Sequence, residues 1–438
     1  MSDEPATPEA GAPEDGRGRH TALVVGLVGG SHFVNHAYLV LLPPLFGPLR
    51  AELGVSLAAL GLAVGVQGAV NTLCQLPFGY VADAYSREAV LAVSLVVGAL
   101  GAGLTAVAPT FELLLAAQVV LGVGTGAHHP AHYPMLSAAT RPDQRGRAYS
   151  VHGFAGALGF AGPPAVAAAA AAVGAGWRGA VLTVAAVGAL YAVATLWLVR
   201  TRVGADVRRP EPGERTAAPL DDHPLRALAG RLRAGTRSVL AVAVRPSMLA
   251  LLVLSFVTSV AGWVVRSYAA VLLTDGYGLP DGPANLVVTA MFAVSAVLIL
   301  VGGPLTDARG PGPVLVGGFA GLLALSAALA SGLLPVVGAV GATVLLAGTV
   351  TFSRPARSAL VDALAGRGDV GKSFALVTVG ISLGGAVAPP LFGWLIEVRD
   401  VAAAFYAVAA IAVVAIALTA AVLHVGDRPR LAAGQPGD

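Results

Sequence analysis

Two pairs of histidines are spaced to share one helix face: His32 with His36, and His128 with His132. His129 stands beside the second pair, and Pro130 follows it. These residues lie in runs apolar and long enough to cross a bilayer. An ionisable residue at that depth costs about 2.5–3.5 kcal/mol on insertion scales, so it needs a partner or a wet cavity. Histidine changes charge near neutral pH, which makes proton binding one chemistry for the cluster. Two other readings stay open on the same residues. They are polar contact between helices and ligation of a transition metal, although no carboxylate or thiol accompanies the rings. Pro130 removes a backbone donor and bends the helix beside them, and Gly122, Gly124 and Gly126 let a neighbour approach.

Roughly 225 residues later the pattern returns with other side chains. Pro355 takes the place of Pro130, Arg354 that of His129, and Arg357 that of His132. Guanidinium stays charged and grips carboxylate, phosphate or phosphonate through paired donors. Arg354, Arg357 and Arg266 are therefore candidate anion contacts. Arg266 and Arg357 stand nearer the ends of their runs, where snorkelling competes with that role. Gln67, Asn71 and Gln75 make a polar stripe at helical spacing, which lines a path or bonds another helix. Asn35 and Trp263 complete the set of candidate substrate contacts.

The elements that must hold these residues are membrane helices. The chain is 56% hydrophobic and 12% charged, against about 25% charged for a soluble domain. Mean hydropathy is +0.77. Twelve apolar runs are expected, beginning near 21 and ending near 424. Arginine and lysine crowd the tails, the even-numbered loops and the long stretch 200–246, which places both termini in the cytoplasm of a plasma membrane. The basic balance thus belongs to loops near anionic lipid and calls for no nucleic acid. The expected parts are a disordered tail (1–20), a six-helix bundle (21–199), a cytoplasmic linker (200–246), a second six-helix bundle (247–424) and a short tail (425–438). Within the linker, Leu225 to Leu232 reads as basic and amphipathic, suited to the inner membrane surface. The fold class is all-α, with twelve transmembrane helices in two pseudo-symmetric six-helix bundles. The lone Cys74 excludes an intrachain disulfide.

The loop after the second run holds Gly79, Asp83 and Arg87; the matching loop after the eighth holds Gly303, Asp307, Arg309 and Gly310. This resembles the signature loop of the major facilitator superfamily, with Ala84, Ser86 and Glu88 departing from its pattern. Over about residues 21–424 the chain is similar to that superfamily. The resemblance implies two bundles rocking about a central site, a gate at the motif loops, and first, fourth, seventh and tenth spans lining the cavity. Ser31-His32-Phe33-Val34-Asn35 and Gly124 to Pro130 look similar to the fosmidomycin-resistance branch of efflux proteins. The glycine-rich fifth run, Gly153 to Pro164, resembles an antiporter motif. Where many relatives carry an arginine in the fourth span, this sequence has Gln118.

The expected function is therefore secondary active transport by a monomer: proton-coupled efflux of a small, anionic organic compound or drug. The histidines would carry protons and the arginines substrate. An importer or facilitator of a metabolite anion, and an exporter of transition metal, are the alternatives. No nucleotide loop, catalytic triad or paired carboxylates point to an enzyme, and no cofactor or resident metal is expected.

Overall fold

The computed structural model describes residues 14–210, 230, 245–365 and 370–425. Its helices are α1 (Glu14–Leu39), α2 (Phe46–Leu53), α3 (Leu57–Ala84), α4 (Arg87–Val107), α5 (Phe111–Gly126), α6 (His128–Ala139), α7 (Arg145–Gly159), α8 (Gly162–Ala172) and α9 (Gly176–Arg202) in the first half. A short α10 (Ala205–Arg208) follows. The second half holds α11 (Pro246–Val271), α12 (Asp281–Arg309), α13 (Pro311–Ala330), α14 (Val336–Thr351), α15 (Arg354–Leu364), α16 (Val370–Val398) and α17 (Val401–Val425). Among the described residues, 11 spans are long and apolar enough to cross a membrane, or 12 when the pair Gly18–Leu39 and Pro43–Leu53, bent by 41°, counts as one. The first span carries Ser31, His32, Asn35 and His36, which make it the more polar case.

Local sequence explains where helices start and break. Ser56, Ser86 and Thr110 cap α3, α4 and α5, each accepting a backbone N–H three residues on. The fourth span is split between Gly126 and His128, and the tenth between Thr351 and Arg354. Pro130 cannot donate to Gly126 O, nor Pro355 to Thr351 O, so each half breaks one turn before its proline. Pro163 and Pro164 split the fifth span in the same way between α7 and α8. Gly310, at φ 77°, makes the tight turn after the second motif loop, a conformation that favours glycine. The three glycines of α5 meet backbone as expected. A Cβ at Gly122 would lie 2.8 Å from Gln67 O, and one at Gly126 2.6 Å from Asn71 O.

Burial shows how the halves meet. One continuous apolar core joins them on the face away from the chain termini, through Leu41, Phe46, Leu60, Tyr268, Leu273 and Phe405. On the terminal face the core divides in two. Val24, Leu91, Leu136 and Val199 belong to the first half, and Met248, Leu315, Leu360 and Val422 to the second. The joined face carries specific ties as well. Leu57 N–H donates to Glu397 Oε1 at 2.5 Å, and Asn285 Nδ2 to Pro44 O at 3.0 Å. Tyr268 OH donates to Pro389 O, behind the place where α3 crosses α16. The molecule is therefore closed on the far face and parted on the terminal face.

Two expectations about boundaries change, and a third lies outside the described residues. Helix α1 already runs from Glu14, because Pro13 is the last proline ahead of the span; residues 14–20 are not a separate tail. The start of the 200–246 stretch is docked rather than loose: Val203 and Val207 are buried, Arg200 and Arg208 both bond Glu88, and Arg87 donates to Asp206 O. The amphipathic segment read at Leu225 to Leu232 lies outside the described residues, apart from position 230, and so do 1–13 and 426–438.

Candidate functional site

The histidines of α1, α6 and α7 form one buried cluster. His32 Nδ1 lies 2.8 Å from His152 O, and His36 Nδ1 lies 2.8 Å from Gly156 O. A carbonyl oxygen only accepts, so each Nδ1 carries the hydrogen. The two remaining nitrogens, His32 Nε2 and His36 Nε2, face each other at 3.0 Å. His32 also stacks on His152, with centroids 4.0 Å apart, and meets His128 at 4.7 Å and His129 at 5.3 Å. His132 Nδ1 reaches His152 Nε2 at 3.3 Å. Both ring nitrogens of His128 are buried with no partner, as is Nδ1 of His129. Two trios, His32 with His128 and His152, and His32 with His36 and His129, hold ring nitrogens within 4.8 Å of one another. Both trios need His32, so they cannot act independently.

Gly156 is why α1 can present these rings to α7. A Cβ there would overlap the His32 imidazole, while its carbonyl takes the His36 N–H. One residue supplies both the room and the acceptor.

The arginines form the opposite wall. A cavity of about 220 Å³ lies between the halves, bordered by His36 and His129 on one side and by Arg266, Arg354 and Arg357 on the other. Arg266 sits over Phe160 and Trp263, 5.3 and 5.5 Å from their centroids. Among the described residues no carboxylate pairs with any of the three guanidiniums, and the cavity wall holds no acid. A second cavity, about 590 Å³, opens toward the terminal face between Tyr133 and Tyr149 on one half and Leu300 and Gly303 on the other. Arg354 borders both cavities.

The other candidates divide. Asn35, Asn71 and Trp263 line the central cavity, as do Gln75 and Ser259. Asn35 is also tied to Thr125 O at 3.2 Å. Gln67 does not join them: it is 2% exposed and donates to Tyr38 O, so it ties α3 to α1. Arg266 and Arg357 face the cavity instead of snorkelling outward. His128 and His132 stand behind His129, away from the cavity wall.

At the motif loops, Asp83 sits a turn before the buried Arg87, and Asp307 and Arg309 are exposed. Nothing lies within 4 Å of a Cβ at Gly79 or Gly303, so neither glycine makes the close helix contact expected of it; Gly302 does, against Phe352 O. The bundles are parted on that face, which removes the partner. Thr378 and Ser382 line the cavity outside the expected set, and His152, a further histidine of the first half, joins the cluster. A histidine inside an apolar fifth run, and an i,i+4 hydroxyl pair on α16, were the available signals.

The Major Facilitator Superfamily model matches residues 28–283 and 251–437. The chain is 26% identical over 142 residues to the uncharacterized MFS-type transporter YfnC of Bacillus subtilis (strain 168), covering 32% of this chain and 34% of that protein. It is 25% identical over 154 residues to the probable L-galactonate transporter of Escherichia coli (strain K12), covering 35% of this chain and 34% of that protein. It thus aligns with about a third of the length of these curated relatives. In fold it is similar to a bacterial homolog of the human lysosomal transporter Spinster in an inward-facing, unoccupied conformation. That match has TM-score 0.70 and 16% identity, over 95% of this chain and 98% of that one. The nucleoside transporter NupG gives TM-score 0.71 at 13% identity, over 91% and 99%. The chain belongs to the major facilitator superfamily.

Proposed function

We propose that the protein moves a small organic anion together with protons, by alternating access through the central cavity. The observation that carries this reading is the cavity wall: three guanidiniums with no carboxylate partner among the described residues, facing His36 and His129. Charges left unpaired in a site of low dielectric call for a ligand of opposite sign. A volume of about 220 Å³ has room for a metabolite-sized solute beside these groups. The probable L-galactonate transporter carries, by its name, a sugar acid, and such a carboxylate is compatible with this wall.

The charges also favour one sign of coupling. A proton on His36 or His129 adds positive charge to a wall that is already cationic. A bound anion offsets that charge, so each ligand raises affinity for the other, by the same factor in both directions. Ligands that help each other bind travel together. Efflux in exchange for protons, the expectation from sequence, needs a substrate that expels the proton, and an anion does the reverse. The anion importer among the alternatives is thus the reading we adopt, with the terminal face as the cytoplasmic one and the plasma membrane as the location. The trios of histidine nitrogens keep metal transport as the second reading.

The test is a binding panel on the purified protein: mono-, di- and tricarboxylates, phosphonates, sugar acids, neutral sugars, organic cations and divalent metals. The account expects anions to raise the melting temperature of the wild type and not of Arg354→Gln. Stabilisation by cations or metals alone, unchanged in Arg354→Gln, overturns it.

A further inference from the structure

We propose that His32 and His36 form a single proton-binding site, in which one proton is held between their two Nε2 atoms. This deepens the proton-carrying half of the preceding reading; the anion-binding half stands without it. The argument is one of hydrogen counting. Each Nδ1 is committed as a donor, His32 to His152 O and His36 to Gly156 O, both at 2.8 Å. A neutral imidazole has one N–H, so two neutral rings would turn two lone pairs toward each other at 3.0 Å. That arrangement is repulsive. One added proton makes it an N–H···N bond of ordinary length, and the pair then carries one positive charge.

The site is also built to keep its geometry. Both acceptor carbonyls come from α7, and both rings from α1, so all four groups belong to the first half and move together when the halves rock. Gly156 leaves the space that the His32 ring fills. His36 borders the central cavity and His32 does not, so the pair has one wet end. The proton leaves a cavity hydronium, which becomes water, and joins the Nε2–Nε2 pair; discharge reverses both steps. The titratable and charged groups around the pair are His128, His129 and His132 on α6, His152 on α7, Arg266 on α11 and Arg354 on α15. None is acidic. An anion in the cavity adds countercharge and strengthens the site, while the Nε2–Nε2 bond itself holds the proton without it.

Proton counting on the full-length protein in phosphatidylcholine nanodiscs tests this without knowing the substrate. Uptake is measured with a pH dye between about pH 8 and pH 5, the range in which histidine titrates. His32→Gln and His36→Gln are each expected to take up one proton fewer than the wild type. The double variant is expected to lose the same single proton, not two. A double loss of two, or no loss in either single variant, overturns the proposal. Ring ¹⁵N spectra of the wild type give the same decision with no substitution: both Nδ1 atoms should carry hydrogen and both Nε2 atoms should share one. A bare Nδ1 on either ring contradicts it. Stoichiometric Zn²⁺ binding by chelator-washed protein, lost in His36→Gln, would assign the pair to metal instead.

Discussion

His36 and Arg354 border one cavity from opposite halves of the molecule, with no acid among the described residues of the wall between them. Each stands on a span broken or bent near its polar residues, and each half supplies one kind of basic side chain to the wall. The pairing ties the histidine-bearing bundle to the arginine-bearing one through whatever occupies the space.

The guanidiniums should act as anion contacts with geometric demands. A hydrogen bond to a charged group is worth about 1.5–3 kcal/mol, so Arg354→Gln should weaken anion binding by roughly 10- to 150-fold. Arg354→Lys keeps the charge but loses the planar fork and should recover only part of that. Calorimetric titration with the best-binding anion of the panel measures both.

Glycine positions on α7 should differ sharply. A Cβ at Gly153 meets nothing within 4 Å, so Gly153→Ala should be neutral, or stabilising by up to ~1 kcal/mol through helix propensity. A Cβ at Gly156 meets the His32 ring, and overpacking of this kind costs about 1–3 kcal/mol. Gly156→Ala should therefore melt lower than Gly153→Ala in the same detergent, and equal melting temperatures would refute the packing account.

The closed far face should open when α3 and α16 are forced apart. A Cβ at Gly65 would lie 2.5 Å from Ala386 O, which is backbone and cannot swing away. Gly65→Leu should shift the population toward the opposite conformation. Spin labels at Val55 and Arg399 should then move apart, while labels across the motif loops move together.

The orphan ring of His128 gives a stability prediction. Both of its nitrogens are buried without partners, so an apolar residue of similar size avoids a desolvation cost. His128→Leu should keep or raise the melting temperature, measured by tryptophan fluorescence. A large fall would mean that water or an ion satisfies the ring in the native protein.

Much of this was legible in the residues. The eleven or twelve spans follow from apolar run length, and the repeat from Pro130 and Pro355, because a missing N–H breaks a helix wherever it occurs. The i,i+4 histidines announced a shared face. What spacing cannot supply is the register between helices. It did not show that His152 and Gly156 would provide the acceptors for His32 and His36. Nor did it show that Gln67 would turn toward Tyr38 while Asn71, one turn away, turned to the cavity. Nor does spacing show that a Cβ at Gly79 or Gly303 would meet nothing within 4 Å.

The most direct test of the account is proton movement driven by the anion itself. Proteoliposomes carrying a trapped pH dye receive each anion of the panel that binds, with no imposed gradient. The account predicts acidification of the lumen as the anion enters, absent in Arg354→Gln. Alkalinisation of the lumen on anion entry, or entry with no proton movement, would contradict it.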